Sequence, residues 1–358
     1  MTTVLSYPSL CCIVQYMEAN WRLHVASRCP SLSKIDKSIP LRLNSLLFEP
    51  CQVTLNDISY KVNKSEEEIK EPDPNELAAC GDIVLDGFNY KESHVKKFLQ
   101  IKIANKRKTV WKRAPDEYQH LQGTVRKMID SLLGARTLVI VNTLSFEFET
   151  KIVRLPIGLK FRVNNLYPKL ADFRSFLHLL TPSSFPLKRL MISELAVITT
   201  KNPIVREAHG LIIKKPNFDH QGGLSHFLDL PNKFLVLNCL RLTHRVLDIA
   251  EVLEIVDFWV KNGKEVGTEL RLDSWADTKM TELAEEIKRK FEGACYVELK
   301  QPTGRQRNGS KFLSIPISSH SELIINATRN YTYEYSDRYS CTLVLKVVPL
   351  GSTVTLTF

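Results

Sequence analysis

No run of about 18 apolar residues occurs in the 358-residue chain, which excludes an apolar membrane-crossing helix. Neither G-x-x-x-x-G-K nor G-x-G-x-x-G is present, so a recognisable phosphate-binding loop is missing. Residues 301–311, QPTGRQRNGSK, carry glycines and bases but flank no strand-to-helix junction and read as a solvated loop. H-E-x-x-H and G-x-S-x-G are also absent, and no Cys or His pairs stand at zinc spacing. His24 and Cys29 lie close in sequence, but His244 is remote. The eight cysteines are scattered without a C-x-x-C, too sparse for a disulfide scaffold, and most stand beside apolar residues. These gaps argue against an enzyme, a cofactor and a metal site, and the cysteine usage fits a reducing compartment, cytoplasm or nucleus.

What is present is a soluble-type composition, 44% hydrophobic and 25% charged, with a formal net charge of +10. The length allows a large core and two or three domains. A basic balance admits a polyanion partner, and a single-stranded nucleic-acid-binding protein is the alternative reading. Its best local feature is IKIANKRKTVWKR, residues 101–113. There Lys106, Arg107, Lys108, Lys112 and Arg113 could meet phosphates and Trp111 could stack on a base. The competing and preferred reading is a basic loop with Trp111 turned into the core. Three sequons, at Asn308, Asn326 and Asn330, matter only in a secreted chain.

The first stretch decides that question. A secretory leader needs a basic start and a continuous apolar core. Here nothing basic precedes Tyr7, Pro8 falls where that core should begin, and Glu18 and Asn20 interrupt soon after. Two short helices fit better. Ser6 caps the first, Pro8 sits in its first turn, and Leu10, Ile13, Val14 and Met17 recur at helical spacing. Asn20 is the expected cap of the second, which carries Trp21, Leu23, Val25 and Ala26 and stops before Pro30. So small a pair cannot bury itself alone.

The order Leu5, Pro8, then Leu10 to Met17, then Arg22, Leu23, Val25, Arg28 and Cys29 resembles an F-box. It departs from that motif where Tyr7 splits the Leu-Pro pair and where the tryptophan after the cysteine is missing. SRCPSLSKIDKSIPLRLNSLLFEP, VTLNDISYKV, GDIVLDGFNY, KMIDSLLGARTLVIVNTL and RLPIGLKFRVNNL resemble the nematode F-box C proteins and their associated domain. The resemblance runs from about residue 4 to at least 270. It implies an adaptor that holds a Skp1-like protein through Pro8, Leu10, Ile13, Val14, Met17, Trp21 and Leu23. The associated domain would present an unknown protein substrate to a cullin-type ubiquitin ligase. A Skp1-independent interaction protein with a degenerate F-box is a further reading.

Further along, Val53 with Leu55 and Ile58 with Tyr60 and Val62 flank Asn56-Asp57 and predict a hairpin. Residues 63–76, acidic with two prolines, read as a linker or loop. A helix is expected from about Gln119 to Leu133, stopped by Gly134. VNTL, VNNL and LNCL then place Asn142, Asn164 and Asn238 at spacings of 22 and 74 residues. Strands are expected near 138–146, 159–163, 187–192, 210–214, 234–242, 268–272 and 295–299. Helical stripes fall at Leu170, Phe173, Leu177 and Leu180, and at Ala250, Leu253, Val256 and Val260. Repeats of about 20–29 residues, each a strand, an asparagine and a return, define leucine-rich arrays. The three asparagines would then bond strand-exit backbone.

The expected architecture is α/β. An F-box-like helical module (1–45) precedes an associated domain (46–358) with an irregular leucine-rich-repeat-like region at about 135–300. A β-rich end (about 310–358) ends the array or packs beside it as a hairpin.

Overall fold

A computed structural model describes residues 6–63, 83–84, 100–104, 109–113, 121–147, 152–153, 155–169, 171–194, 201–215, 228, 230–238, 248–276, 279–299, 312–329 and 340–355. The chain divides into two compact units, Met1–Leu187 and Lys188–Phe358. The boundary expected near residue 45 thus falls inside the first unit. Among the described residues no helix is long and apolar enough to cross a membrane.

The first unit opens with α1 (Tyr7–Tyr16), α2 (Ala19–Ala26) and α3 (Pro30–Ser38). Ser6 caps α1 by accepting from the Ser9 N–H. α2 is capped by Glu18 rather than Asn20: its carboxylate accepts from the N–H groups of Asn20 (2.9 Å) and Trp21 (3.1 Å). Asn20 is buried instead, its amide donating to Glu18 and, at 3.1 Å, to the Leu55 carbonyl. Pro30 follows the end of α2 and opens α3, since a first-turn position needs no N–H.

Strands β1 (Leu41–Glu49), β2 (Gln52–Leu55) and β3 (Ile58–Asn63) form an antiparallel meander. Asn56, at φ 52°, makes the β2–β3 turn, a conformation that asparagine tolerates. Short β4 (Ile83–Val84) pairs with β8 (Ile152–Val153). β5 (Gln100–Ala104) and β6 (Thr109–Arg113) extend the meander, and α4 (Leu121–Leu133) follows. On the other side of β1, strands β7 (Leu138–Phe146) and β9 (Lys160–Pro168) add in parallel. The order is β6–β5–β3–β2–β1–β7–β9, an antiparallel run joined to a parallel one at β1.

The core beneath the parallel run is aromatic. Phe48 stacks on Phe146 at 5.3 Å, Phe146 on Phe176 at 4.1 Å, and Phe161 meets Phe48 edge-on. All four rings are fully buried. Phe176 lies on a 3-10 helix, Phe173–Leu179, where an α-helix was expected. With three residues per turn the inward face becomes Phe173, Phe176 and Leu179, and Leu177 turns half-exposed. Leu170 lies outside the described residues.

The second unit has parallel strands β10 (Arg189–Glu194), β11 (Gly210–Lys215), β12 (Phe234–Asn238) and β13 (Glu269–Ala276). Then come β14 (Cys295–Leu299), β15 (Phe312–Pro316), β16 (Ser321–Arg329), β17 (Ser340–Pro349) and β18 (Thr353–Thr355). The order is β10–β11–β12–β13–β17–β16–β15–β14–β18, antiparallel from β13 onward. The C-terminal strands pack beside the parallel run: β17 inserts between β13 and β16, antiparallel to both, while β18 pairs with β14 and not with β17. A strand whose alternate residues Leu343, Leu345 and Val347 are all buried gains more in the middle of a sheet than at its rim.

Helices of this unit within the described residues include α5 (Pro203–Glu207), α6 (Ile249–Asn262) and α7 (Lys279–Lys290). A reciprocal Asp248–Glu251 box starts α6, and Gly263 at φ 66° ends it. Its buried face is Val252, Ile255, Val256 and Trp259, rotated from the expected stripe. Two stripes share helical spacing here, and burial of the large Trp259 selects between them. α7 buries Leu283, Ala284 and Ile287 and leaves Glu285 and Glu286 outward, paired with Lys288 and Arg289.

Candidate functional site

The three N-terminal helices leave an unusual amount of apolar surface in water. Tyr7 is 64% exposed, Ile13 44%, Tyr16 85% and Trp21 65%. Four large apolar groups within fifteen residues exceed the scattered exposure normal on a soluble surface. Pro8 is exposed as well, and Leu10 and Met17 are half-buried. Val14 and Leu23, expected to face a partner, are buried among the chain's own residues. Tyr7 and Tyr16 were not singled out in the sequence, because a tyrosine flanking an apolar stripe carries no sign of which way it turns.

The second and third of these helices are held by buried charge. Asp36 on α3 accepts from Arg22 Nε on α2 with one carboxylate oxygen and from Arg136 Nη2 with the other. Arg22 also donates to the carbonyls of Pro40 (3.0 Å), Ile39 and Asp36, and Arg136 to that of Asp36 (2.8 Å). All three side chains are at most 3% exposed. Burial pulls the Arg136 guanidinium below its ordinary value and the Asp36 charge works against that. An arginine stays protonated through such a shift. The group therefore carries two positive charges against one negative, and Arg136 Nε has no hydrogen-bond partner among the described residues. No local pattern reveals the Asp36–Arg136 pair, whose members lie 100 residues apart.

Between α2, α3, α4 and β3 lies a cleft of about 560 Å³, with Trp21, Leu23, Tyr60, Met128, Leu132 and Arg136 among its lining. Trp21 meets the His24 ring edge-on, centroids 5.9 Å apart. Tyr60 on its wall has its hydroxyl pushed up to about 12, by burial first and then by the Glu18 charge. Glu18 is held below the ordinary carboxyl value: burial opposes this, but the N–H groups of Trp21 and Asn20 and the Asn56 amide outweigh it.

The outward face of the parallel run carries asparagines in register. Asn142 Nδ2 donates to Asn44 Oδ1 at 3.4 Å, and Asn164 Nδ2 to Asn142 Oδ1 at 2.9 Å. In the next row Asn165 donates to Thr143 at 3.1 Å. The row thus bonds side chain to side chain, whereas bonding to backbone was expected. At its end Asn56 Oδ1 accepts from the N–H groups of Asn44 (2.8 Å) and Ser45 (3.2 Å), where two successive β1 residues face outward. Asn44 was overlooked, though LNSL at 43–46 has the form of VNTL and VNNL. The Asn238 side chain lies outside the described residues; its backbone pairs with Asp273.

Of the basic segment, Lys106, Arg107 and Lys108 lie outside the described residues. Trp111, Lys112 and Arg113 stand on β6, paired with β5, so the expected loop is a hairpin strand there; their side chains are not described. Residues 301–311 and 64–76 are likewise outside. Among the described residues no cluster of three or more His, Cys, Asp or Glu could hold a metal ion. Cys29, at the start of α3, has its thiol lowered by hydrogen bonds from Ser31 and the Leu32 backbone.

Residues 120–274 match a domain of unknown function, DUF3557. The matched segment begins at α4, includes Arg136, Asn142 and Asn164, and ends within β13. No curated protein and no solved structure matches the chain.

Proposed function

We propose that the chain is a non-catalytic adaptor of the F-box kind, with its N-terminal helices gripping a Skp1-like protein and its sheets presenting a second protein. The observation that carries the reading is the exposure of Tyr7, Ile13, Tyr16 and Trp21, the last on a helix fixed from below by Arg22, Asp36 and Arg136. A rigid frame with an unburied apolar face is pre-organised for a partner, because little freedom is lost on docking. Central aromatic and aliphatic side chains of this type dominate such interfaces. The sequence resemblance of residues 5–29 to an F-box supplies the partner's identity, and the described geometry is consistent with it.

The parallel runs support a leucine-rich-repeat-like reading of the remainder. In both, each successive strand adds beside its predecessor, so that one strand covers the apolar edge of the last. The asparagine row would then be the signature of the array. Such a protein would work in the cytoplasm or nucleus, beside a cullin-type ligase.

Co-purification with Skp1 tests the proposal. Ile13→Asp and Trp21→Ala alter exposed positions and should abolish binding while the thermal melt stays in place. Binding retained in both variants would overturn the assignment. If the unmodified chain fails to retain Skp1 at all, a Skp1-independent interaction protein is the reading that replaces it.

A further inference from the structure

We propose that the outward face of β10–β13 is a docking surface for an acidic, amphipathic polypeptide segment. It deepens the adaptor reading by giving the second partner a chemistry, and it rests on that reading for its biological role only.

Two adjacent rows make the surface. Register places Arg189, Gly210, Phe234, Glu269 and Lys346 side by side across five strands. Phe234 is half-exposed and lies between two guanidinium groups, Arg189 and Arg271, each 5.2 Å from the ring centroid. Gly210 permits this. A Cβ there would stand 3.3 Å from both the Phe234 ring and the Arg189 stem, tighter than ordinary contact.

The next row is Met191, Ile212, Val236 and then Arg271 and Val344. Its apolar members are half-exposed. An outward sheet face is ordinarily polar when water covers it, so a continuous apolar row there marks a contact surface.

Charge selects the partner. Glu269 is the only acid in the two rows, and at 12% side-chain exposure it lies beneath Arg271 (2.6 Å) and Lys346 (3.3 Å). Burial of Glu269 is outweighed by these two cations, which hold its carboxyl below the ordinary value. Arg189 has no carboxylate partner among the described residues. Three cations against one sunken carboxylate leave these two rows positive. An extended segment alternating acidic and aliphatic residues satisfies both rows, its aliphatic groups over Ile212 and Val236 and its carboxylates on Arg189 and Arg271. A polynucleotide would satisfy the cations and leave the apolar row wet.

The test uses the full chain and a short fluorescent peptide alternating Glu and Val. Fluorescence anisotropy should show binding that weakens with salt and is absent for a Lys–Val peptide. Arg189→Glu with Arg271→Gln should weaken it about tenfold or more. Ile212→Lys adds positive charge but breaks the apolar row, and should weaken it several-fold. Should the paired charge variant fail to fold, Arg189→Gln alone should still weaken binding measurably. Unchanged affinity in the charge variants, or unchanged or tighter binding by Ile212→Lys, would overturn the proposal. So would displacement of the peptide by a single-stranded oligonucleotide or by anionic vesicles. Ile13→Asp should leave peptide binding intact, so a failure here and a failure of Skp1 binding are read separately.

Discussion

The two units share one plan, a parallel run of strands continued by an antiparallel run, yet they finish it with opposite surfaces. In the first unit the outward face of β1, β7 and β9 is a polar ladder, Asn44–Asn142–Asn164, that satisfies its own hydrogen bonds. In the second, the corresponding face is an apolar row edged by Arg189, Phe234 and Arg271. Beneath, the first unit packs stacked phenylalanines and the second packs aliphatic side chains and Trp259. The inward residues of such a sheet are dictated by packing. The outward ones are free to differ, and that is where function separates two sheets that each join a parallel run to an antiparallel one.

The largest way to break the comparison is to strike each unit at its own anchor. Asp36→Ala leaves Arg22 and Arg136 buried without a counter-charge and should cost about 3–5 kcal/mol. Trp259→Ala removes the largest side chain under α6 and should cost a similar amount, about 3–5 kcal/mol. Hydrogen exchange should show protection lost around α2 and α3 in the first variant and around α6 in the second. Loss in both regions from either change would mean that the units do not differ in what holds them.

A smaller effect is expected at the polar ladder. Asn142→Ala removes the middle rung and two exposed side-chain hydrogen bonds, with a cost of about 0.5–1.5 kcal/mol by urea titration. Gly210→Ala, in the row that holds Phe234 in the second unit, should cost about 1 kcal/mol and dislodge Phe234. Mutating the ladder should leave the acidic-peptide affinity unchanged, whereas Gly210→Ala should lower it.

The smallest effect is that of pH, and it touches both units. Glu18 and Glu269 have folded values below the ordinary 4.5. Each therefore favours the folded state above that value and loses its contribution as pH falls through the lower folded value. A chain carrying Glu18→Gln should lose less stability between pH 5 and 3 than the unaltered one, read as the shift in melting temperature.

Much of the strand pattern was legible because β-period alternation and the Asn56 turn are local signals. β7 matches the expected 138–146, and β14 matches 295–299. The register of Asn142 with Asn164 follows from a 22-residue spacing visible in the sequence. What was illegible depended on distant partners. Whether Val14 or Ile13 turns inward depends on what packs against α1, and both satisfy the same helical spacing. The insertion of β17 beside β13 likewise depends on a partner distant in the sequence, which adjacent residues cannot report. The cap of α2 was misplaced by two residues, because Glu18 and Asn20 both have side chains able to take the free N–H groups and only packing of Asn20 against Leu55 settled it.

The Asp36 carboxylate joins a helix outside residues 120–274 to an arginine inside them. A chimera that replaced the first forty residues with another helical pair would strand Arg136 as a lone interior cation unless the graft carried an acid to the same spot. Modular exchange at this end of the chain is thus constrained by a single proton-binding group, and the N-terminal helices are a built-in part of the sheet they sit on.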